Sequence, residues 1–494
     1  MTKITLNGRE VEVDPKEPLI RACHDHGVDV PMYCYHPGLH PVGSCRICQV
    51  EVKQGEGPAR VVAACRTPVA EGMRVDTDSP KAHEVRRECL EFLLKNHPLD
   101  CPICDKAGEC DLQDYAFMEG QGEGRSSEPR RKLHKRRSLG DVIVLDEERC
   151  ILCSRCVRFF EDVTKKPQLA VTGLGARSVI STFMDRPLSG NYQGNLADIC
   201  PVGALTLKHF RFQARVWNLS KTLSHCAECS RGCATTVEVL RHKEVKRFRP
   251  RFDAAVNRWW MCDAGRFAFE HVNLPACPAG QVTGGRLVGA ALRGYHGLEA
   301  VGLDKALLAA TDMLAAHAAR VIVLSPFATQ EEAQAALALA RTLSAETCFV
   351  APPPSVLKDD LLHTGDPCPN RKGLAALGLA ALAPEQVLER LGAVEAALLV
   401  GERVQELVGL EALGRLPSGL RLIAFDLEAH AYPALDLAIG VPLHVEKQGH
   451  WLNVDGLRRE LSVARSAPGG VAPLVSSLER LRELCSRAPA EVRP

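Results

Sequence analysis

The cysteines of this chain are concentrated in its front part. Of the 21 cysteines among 494 residues, 18 lie at or before Cys277, and only Cys348, Cys368 and Cys485 follow. The opening residues, MTKITLNGRE, contain no apolar stretch of the kind that secretory signals carry, so we expect the protein to stay in a reducing compartment. In such a compartment this number of thiols indicates metal ligation and not disulfides.

Fifteen of the cysteines and one histidine fall into four groups with the spacing of metal ligands. Their spacings are C-x10-C-x2-C-x16-C, H-x3-C-x2-C-x5-C, C-x2-C-x2-C with a distant Cys-Pro, and C-x2-C-x3-C-x28-C. We call these groups the first, second, third and fourth quartets. In that order their members are Cys34, Cys45, Cys48 and Cys65; His97, Cys101, Cys104 and Cys110; Cys150, Cys153, Cys156 and Cys200; and Cys226, Cys229, Cys233 and Cys262.

The spacing within each quartet indicates the kind of cluster that it holds. Long loops that feed a C-x2-C, with a fourth cysteine after a strand pair, suit a [2Fe–2S] cluster in a β-grasp domain. Three close cysteines plus the remote Cys200-Pro201 form the bacterial ferredoxin arrangement for [4Fe–4S], and with no second C-x2-C-x2-C present Cys200 should complete the same cluster. The second and fourth quartets also suit [4Fe–4S] clusters.

Two other metal sites compete with this interpretation. Structural zinc usually takes two C-x2-C pairs, whereas these quartets are grouped three plus one, which favours iron–sulfur clusters. A Rieske site with Cys34 and His36 would need C-x2-H where Cys45 and Cys48 stand, so we expect His36 and His40 in loops or outside the ligand shell. The six unassigned cysteines are predicted to be small buried apolar residues: Cys23, Cys89, Cys277, Cys348, Cys368 and Cys485.

Local patterns in the first hundred residues predict a hairpin and two helices. Residues 2–13 alternate apolar and polar side chains around Asn7-Gly8, a dipeptide suited to a type I′ turn. A short helix should run from about Pro18 to His26, and Ser79-Pro80 should begin a longer one that ends at His97. The apolar side of that longer helix is predicted to comprise Val85, Leu90, Phe92, Leu93 and Leu94.

The basic run RRKLHKRR, Arg130 to Arg137, is predicted to belong to a solvated connector, with a docking patch for an acidic partner as the alternative. Beyond residue 276 helical and strand patterns alternate, and the strands are short and apolar, as in a parallel sheet covered on both faces. The helices are expected near 304–320, 329–343, 384–394 and 402–414, and the strands near 321–325, 347–352, 396–401 and 420–427.

Several classes of function are disfavoured by what the sequence lacks. A formal net charge of +1 gives no global reason to bind nucleic acid or an anionic membrane. No apolar run is long enough to span a bilayer. No strand is followed by G-x-G-x-x-G and there is no P-loop, so no nicotinamide or flavin site is expected on this chain.

The order of the quartets and the phrases NLADICPVGALTLKHFRFQARVWNLSKT and CDAGRFAFEHVN resemble the large iron–sulfur subunit of bacterial respiratory complex I, the NADH–quinone oxidoreductase. The resemblance covers residues 1–275 and continues more weakly to about residue 460. There, GDPCPNRKGLAALGL and DLAIGVPLHVEKQGHWLNVDGLRRE are similar to molybdopterin oxidoreductases. Because the tail is much shorter than a complete domain of that type, we do not expect bound molybdopterin.

This resemblance implies the fold class and the domain order. The front should be α+β, with a β-grasp [2Fe–2S] ferredoxin domain and [4Fe–4S] ferredoxin-like domains, followed by an α/β domain resembling a truncated molybdopterin oxidoreductase. The expected domains are 1–80, β-grasp with [2Fe–2S]; 81–120, [4Fe–4S] with one His and three Cys ligands; 121–139, basic linker; 140–218, ferredoxin-like with [4Fe–4S]; 219–275, [4Fe–4S] of molybdopterin-oxidoreductase type; and 276–494, the truncated α/β domain.

The resemblance also implies an electron-relay role, with one [2Fe–2S] and three [4Fe–4S] clusters and no catalytic residue or quinone site on this chain. Electrons would enter at the first quartet from a flavin- and NADH-binding subunit, reach the second through the third, and leave to a ferredoxin-like [4Fe–4S] subunit. The fourth quartet resembles an extra one in some bacterial members and would lie off the main path. Other peripheral-arm subunits, and indirectly the membrane arm, would complete an assembly on the cytoplasmic side of the bacterial inner membrane, with no nucleic acid bound.

Two alternatives stay open at this point. An NAD-linked formate dehydrogenase or hydrogenase shares the cluster-bearing front, but it needs a full molybdopterin domain or a further cysteine-rich domain, and the tail is almost free of cysteine. The other alternative is a scaffold subunit that holds zinc in some quartets.

In the second quartet a neutral imidazole replaces a thiolate, which by itself should raise the reduction potential of a bound cluster.

Overall fold

The computed structural model describes residues 1–487 apart from Gln121, Ala279 and Ser418, and its internal contacts divide the chain into two units, Met1–Asn218 and Leu219–Pro494. Within the described residues, no helix has the length and apolar character needed to cross a membrane.

The first unit begins with a β-grasp sheet. Its strands are β1 (Thr2–Leu6), β2 (Arg9–Val13), β3 (Gln49–Lys53), β4 (Arg60–Ala63) and β5 (Arg74–Asp76), in the order β2-β1-β5-β3-β4 with β1 and β5 parallel. The predicted hairpin is confirmed, because Asn7 and Gly8 take φ values of 47° and 82° between β1 and β2. Helix α1 (Leu19–Asp25) lies where the sequence predicts it and buries Leu19 and Ile20 in the core of this sheet.

Helix α2 (Pro80–Asn96) leads from the β-grasp sheet to the second quartet. Its beginning is confirmed at Ser79, whose hydroxyl accepts a hydrogen bond from the Ala82 amide at 3.2 Å. The predicted apolar side is only partly correct: Leu90 is buried, whereas Phe92 is 79% exposed. The inward face is instead partly polar, because the Arg86 guanidinium is buried and donates to the Gln49 and Thr77 carbonyl oxygens.

The remainder of the first unit consists of short elements and long loops. The helices are α3 (Asp111–Glu119), α4 (Arg155–Arg158), continued by a π-helical turn over Phe159–Val163, and α5 (Asn195–Ile199). The strands are β6 (Arg137–Ser138), β7 (Ile143–Leu145), β8 (Leu169–Thr172), β9 (Val179–Thr182) and β10 (Leu205–Leu207). They form one sheet in the order β10-β7-β6 and a separate β8-β9 pair.

The basic run is exposed in part but is not simply solvated. Lys135 lies 2.5 Å from the Glu148 carboxylate, and Arg137 lies 3.1 Å from that of Glu147. Both glutamates are buried just before Cys150, so the prediction of a plain connector is wrong for this end of the run. These cations neutralise buried acids beside the third quartet.

The second unit opens with a meander, β11 (Leu219–His225), β12 (Ala234–Leu240) and β13 (Glu244–Pro250), followed by α6 (Asp263–Phe267) and α7 (Phe269–Val272). A large sheet follows, in the order β15-β14-β21-β20-β19-β16-β17-β18. Its strands are β14 (Ala290–Gly294), β15 (Gly297–Val301), β16 (Arg320–Leu324), β17 (Glu346–Val350), β18 (Ala380–Leu382), β19 (Ala396–Val400), β20 (Arg421–Asp426) and β21 (Leu435–Gly440).

Strands β16 to β21 are parallel, as predicted, and β19 and β21 are buried along their whole length. The sheet has one edge that the sequence did not predict, where the β14–β15 hairpin pairs antiparallel with β21. Two residues join β14 to β15, a connection that only antiparallel strands can make. A further pair, β22 (Gly449–Leu452) and β23 (Arg458–Leu461), lies outside this sheet.

The helices of the second unit mostly lie at their predicted places. They are α8 (Leu303–Ala315), α9 (Gln330–Leu343), α10 (Arg371–Ala376), α11 (Pro384–Gly392), α12 (Val404–Val408), α13 (Leu410–Leu413) and α14 (Leu474–Arg487). The helix predicted over 402–414 is divided into α12 and α13 by Gly409, whose φ of 110° is incompatible with a continuous helix.

Four of the six cysteines outside the quartets are buried as predicted: Cys23, Cys348, Cys368 and Cys485. The prediction is wrong for Cys89 and Cys277, which are partly exposed. Each of these thiols reaches a backbone carbonyl, that of Arg46 at 3.4 Å and that of Gly285 at 3.1 Å respectively.

Candidate iron–sulfur sites

The first quartet lies on the loops beside the β-grasp sheet. Cys34 follows α1, Cys45 and Cys48 precede β3, and Cys65 lies in the 3-10 turn Ala64–Arg66 after β4. The Cys34 amide points at the Cys45 sulfur at 3.3 Å, and thiol hydrogen bonds join Cys34 to Cys45 and Cys65, and Cys65 to Cys48. Hydrogen bonds from its neighbours lower the pKa of the Cys34 thiol and raise those of Cys45 and Cys65. The structure thus brings all four predicted ligands together.

The second quartet follows the end of α2. The Cys104 amide donates to the Cys101 carbonyl at 3.0 Å, which folds this loop into a turn, and Cys104 in turn lies near Cys110. His97 ends α2 and is 9% exposed, and its Nδ1 atom is buried without a hydrogen-bond partner among the described residues. Burial and the nearby Arg149 lower the pKa of His97 to about 4, which keeps the imidazole neutral. A neutral buried imidazole with a free nitrogen fits a metal ligand.

The third quartet lines one cavity. Cys150, Cys153 and Cys156 come from the turn before α4 and from α4 itself, and Cys200 follows α5. The remaining wall of the cavity is mostly apolar and includes Leu145, Ile151, Ile180, Val202 and Leu205. Burial raises the pKa of the Cys150 thiol to about 12 and that of Cys153 to about 11. Four thiols around one apolar cavity fit a cluster, because a bound metal supplies the positive charge that deprotonates them.

The fourth quartet belongs to the second unit. Cys226, Cys229 and Cys233 lie between β11 and β12, and Cys262 caps α6, with its sulfur accepting a hydrogen bond from the Gly265 amide at 3.4 Å. All four cysteines are buried. A Cβ atom on Gly265 would stand 2.7 Å from the Cys226 sulfur and 3.5 Å from the Cys262 sulfur. The missing side chain leaves room where the two sulfurs converge, as a cluster would require.

Two buried arginines of α4 join the loops of the first and third quartets. Arg158 donates to the Cys34 carbonyl, to the Cys153 carbonyl at 3.1 Å and to the His40 carbonyl at 2.6 Å. Arg155 donates to the Tyr35 carbonyl at 2.6 Å and, at 3.1 Å, to the Ile199 carbonyl next to Cys200. The two quartets are therefore held beside each other by the same helix.

A second set of contacts joins the second and third quartets. Arg149, next to Cys150, forms an ion pair at 2.7 Å with Asp100, next to Cys101. Gly203, which follows Cys200, packs so closely on the Cys104 sulfur that a Cβ atom at this position would overlap it. The Asp111 amide donates to the Pro201 carbonyl at 3.0 Å. Within the first unit, the third quartet is therefore joined to the first quartet on one side and to the second quartet on the other.

These arginines and Gly203 were not singled out from the sequence. A signal was present, since Arg149 and Arg155 each stand next to a cysteine ligand and Arg158 follows two residues after one. Basic residues beside thiolate clusters offset buried negative charge.

His36 and His40 lie in loops, as expected. The His36 ring accepts a hydrogen bond from the Gly38 amide at 3.1 Å, and the His40 ring pairs with Asp162 at 2.7 Å.

Among the residues that the structure describes, no group of three or more His, Cys, Asp or Glu side chains is arranged to hold one metal ion.

Family models match four stretches of this chain. Residues 1–80 match a 2Fe-2S iron-sulfur cluster binding domain, and 86–125 match the NADH-ubiquinone oxidoreductase-G iron-sulfur binding region. Residues 140–206 match the ferredoxin-like domain of NADH-quinone oxidoreductase subunit 3, and 219–274 match the molybdopterin oxidoreductase Fe4S4 domain. This chain is homologous to the large iron–sulfur subunit of NADH–quinone oxidoreductase. The resemblance to that subunit, which the sequence indicated for residues 1–275, is confirmed by these matches.

Individual relatives show how far the homology extends. The chain is 43% identical over 270 residues to the mitochondrial 78 kDa subunit of NADH-ubiquinone oxidoreductase from Neurospora crassa, covering 54% of this chain and 36% of the relative. It is 38% identical over 270 residues to the G subunit of NADH-quinone oxidoreductase from Rickettsia prowazekii, covering 55% and 39% respectively. For the corresponding G subunit from Streptomyces coelicolor the identity is 39% over 273 residues, covering 55% and 32%.

The aligned part thus spans less than two fifths of the length of these relatives. A solved structure, the crystal structure of an NAD+-reducing [NiFe]-hydrogenase in the H2-reduced state, is 30% identical with a TM-score of 0.39, covering 44% of this chain and 91% of that chain.

Proposed function

We propose that this chain is an electron-relay subunit of a proton-translocating NADH–quinone oxidoreductase. The observation that carries the proposal is the linkage of three quartets within the first unit. Arg155 and Arg158 join the first quartet to the third, and Arg149 and Gly203 join the third to the second. A relay needs redox sites held close together in a fixed arrangement, and these buried contacts supply that. Homology to the large iron–sulfur subunit supports the same role.

The ligand assignments are those of the four quartets, with one [2Fe–2S] cluster in the first and a [4Fe–4S] cluster in each of the others. When bound, such clusters supply one-electron carriers whose potentials depend on ligand charge, hydrogen bonds and solvent exposure. The chain supplies the thiolates, the neutral imidazole of His97 and the buried arginines. It also surrounds the third quartet with a mostly apolar wall. No residue of the chain is assigned a bond-making or proton-transfer role.

The order of the sites gives the proposed direction. Electrons enter at the first quartet from a flavin- and NADH-binding subunit, continue at the third, and leave from the second to a ferredoxin-like [4Fe–4S] subunit toward quinone. The fourth quartet lies in the other unit and is assigned to a side position. The assembly is placed peripherally on the cytoplasmic side of a bacterial inner membrane, together with other peripheral-arm subunits and indirectly the membrane arm.

The end of the second unit is proposed to be a shortened molybdopterin-oxidoreductase-like domain that holds no molybdopterin. Support comes from the match of residues 219–274 and from the α/β sheet that follows it. Its strands are filled with buried aliphatic side chains, with β19 and β21 buried throughout.

The proposal is tested by tagging the chain in its source organism and isolating the intact complex under anaerobic conditions. We expect a flavoprotein that oxidises NADH to co-purify with membrane subunits, and NADH to reduce iron–sulfur signals visible by electron paramagnetic resonance (EPR). Co-purification of a nickel or molybdenum enzyme without quinone reductase activity would contradict the proposal.

A single variant tests the relay itself. His97→Ala should remove one [4Fe–4S] signal and reduce NADH-driven quinone reduction by at least tenfold, because the second quartet is the proposed exit. The matched control is His134→Ala, which changes an exposed histidine of the basic run and should leave the rate unchanged. Normal turnover in His97→Ala would refute the exit role.

A further inference from the structure

The β22–β23 hairpin lies against the loop that carries three ligands of the fourth quartet, residues 225–233. The Asn453 side chain donates to the Arg231 carbonyl at 3.1 Å, and the Val454 amide donates to the Ser230 carbonyl at 2.8 Å. Most of this hairpin belongs to the stretch DLAIGVPLHVEKQGHWLNVDGLRRE, which resembles molybdopterin oxidoreductases and to which the relay assigns no role. Its contacts place the hairpin at the fourth quartet, although none of its residues is a predicted ligand.

Two neighbouring arginines of β23 face in opposite directions, as successive residues of a strand do. Arg458 is exposed and pairs with the Glu460 carboxylate, whereas Arg459 is only 5% exposed. The Cγ atom of Arg459 lies 3.1 Å from the position that a Cβ atom on Gly232 would take, and its guanidinium forms an ion pair at 2.6 Å with Asp253. Arg459 is therefore a buried cation that packs on the fourth quartet's loop.

The two ends of the Arg459 side chain are fixed near the residues that flank Cys233. Its stem packs on the glycine that directly precedes this ligand. Its head pairs with Asp253 in the loop after β13, where the Arg251 amide donates at 3.0 Å to the carbonyl of Ala234, the residue that directly follows Cys233. The Arg459 cation is consequently held in the neighbourhood of this ligand.

The ion pair with Asp253 does not use all of the hydrogen-bonding capacity of Arg459. The Nε atom is buried and has no hydrogen-bond partner among the described residues. Leaving such a donor buried costs free energy, and an apolar side chain of similar length would fill the space without that cost. Negative charge nearby offsets the cost, and four thiolates around a [4Fe–4S] core carry net negative charge in both redox states of the cluster.

We propose that the β22–β23 hairpin holds the Arg459 cation beside the [4Fe–4S] cluster of the fourth quartet and thereby raises the reduction potential of that cluster. The inference rests on the proposed function, because it requires a cluster on Cys226, Cys229, Cys233 and Cys262. The reduced cluster carries one more negative charge than the oxidised cluster, so a fixed cation stabilises the reduced state more and raises the potential. The hairpin thus has a role in a domain that is proposed to hold no molybdopterin.

The test is an EPR-monitored redox titration of the complete complex with Arg459→Met, which keeps an apolar stem and removes the charge. The relevant signal is the one that Cys262→Ala removes. We expect roughly a tenfold fall in its reduced-to-oxidised ratio at fixed potential, a downward shift of about 59 mV for a one-electron couple. Arg459→Lys keeps the positive charge and should leave the ratio close to the wild-type value.

Arg458→Met is the matched control, since it makes the same change at the neighbouring exposed arginine and should leave the potential unchanged. An unchanged potential in Arg459→Met with normal iron content would overturn the proposal, as would an equal shift in Arg459→Lys or Arg458→Met. If Arg459→Met loses the cluster, Asp253→Asn gives the opposite test: it keeps the cation and removes its anionic partner, so the potential must rise, and no rise refutes the proposal. Absence of any Cys262-dependent signal in the wild type would instead show that the cluster assignment of the proposed function has failed, and this inference with it.

Discussion

Two regions of this molecule are held together by different means. The large sheet of the second unit is built on buried aliphatic side chains, and every residue of β19 and β21 is buried. Residues 97–218 of the first unit have strands of only two to four residues, and their interior contains buried charges. Those charged residues include Asp146, Glu147, Glu148, Arg149, Arg155 and Arg158.

The difference shows what a metal-binding region needs from its sequence. A sheet can be assembled from interchangeable apolar residues, because hydrophobic burial has no direction. Loops that present sulfur atoms must instead be fixed by hydrogen bonds to individual carbonyl groups, and buried guanidinium groups provide several at once. We therefore expect residues 97–218 to depend on their cofactors and the large sheet to be stable without them.

Removing the metal should produce the largest effect. Anaerobic treatment with an iron chelator and a reductant should make residues 97–218 sensitive to protease, because metal binding contributes to their folding free energy. Fragments containing β16 to β21 should remain resistant under the same conditions. Limited proteolysis with mass spectrometry checks this, and equal loss of protection in both regions would remove the basis of the comparison.

Two glycine substitutions examine one quartet in each region. Gly203→Ala places a Cβ atom against the Cys104 sulfur, and Gly265→Ala places one 2.7 Å from the Cys226 sulfur. Each variant should lose about four iron atoms, the content of one [4Fe–4S] cluster. Gly203→Ala should also weaken the neighbouring third quartet, whereas Gly265→Ala should leave the first unit intact. The control is Gly392→Ala, because a Cβ atom at this position meets no atom within 4 Å. Equal iron content in all three variants would contradict the assignment of clusters to the second and fourth quartets.

A smaller loss is expected from Arg158→Met. This change leaves the carbonyl groups of Cys34, His40 and Cys153 without their buried donor, which should cost about 2–4 kcal/mol of the unfolding free energy of the first unit. Arg415→Met in the second unit breaks an exposed pair with Glu411 and should cost less than about 1 kcal/mol. The measurement is the midpoint of denaturant unfolding, followed by the absorbance of the first quartet's cluster. The midpoint should fall clearly in Arg158→Met and by much less in Arg415→Met. Similar midpoints would argue against a structural role for Arg158.

The smallest effect concerns pH. The ring nitrogens of His83 on α2 donate to the Glu119 carboxylate at 2.5 Å and to the Asp78 carboxylate at 2.8 Å, and the bond with Glu119, followed by that with Asp78, raises the pKa of His83. Because the folded pKa is the higher one, the stabilisation is complete below the unfolded pKa of about 6.5 and is lost as the pH rises through the folded value. His83→Gln should flatten the fall in the unfolding free energy of the first unit as the pH rises above about 6.5, by less than about 1 kcal/mol. An unchanged dependence of stability on pH would show that the bonds of His83 with Glu119 and Asp78 do not stabilise the first unit.

The parts of the structure that could be predicted depend on local interactions. Asn7-Gly8 specifies a turn and Ser79-Pro80 specifies a helix start, and both signals lie within a few residues of their effect. The quartets could be recognised because ligand spacing is a property of the chain itself. The assignment of their residues to particular clusters remains a prediction.

Long-range packing decided the features that could not be read from the sequence. Arg158 binds carbonyl groups 118 and 124 residues away, and no local pattern specifies such partners. The exposure of Phe92 and the burial of Arg86 on the same helix depend on what packs against α2. The antiparallel β14–β15 edge likewise depends on pairing with β21, more than a hundred residues later.

The central claim is that four quartets hold four iron–sulfur clusters. Its most direct test is the iron, acid-labile sulfide and zinc content per chain of anaerobically purified protein. We predict about 14 iron atoms, an equal amount of sulfide and no stoichiometric zinc. About ten iron atoms or fewer, with zinc making up the difference, would contradict it.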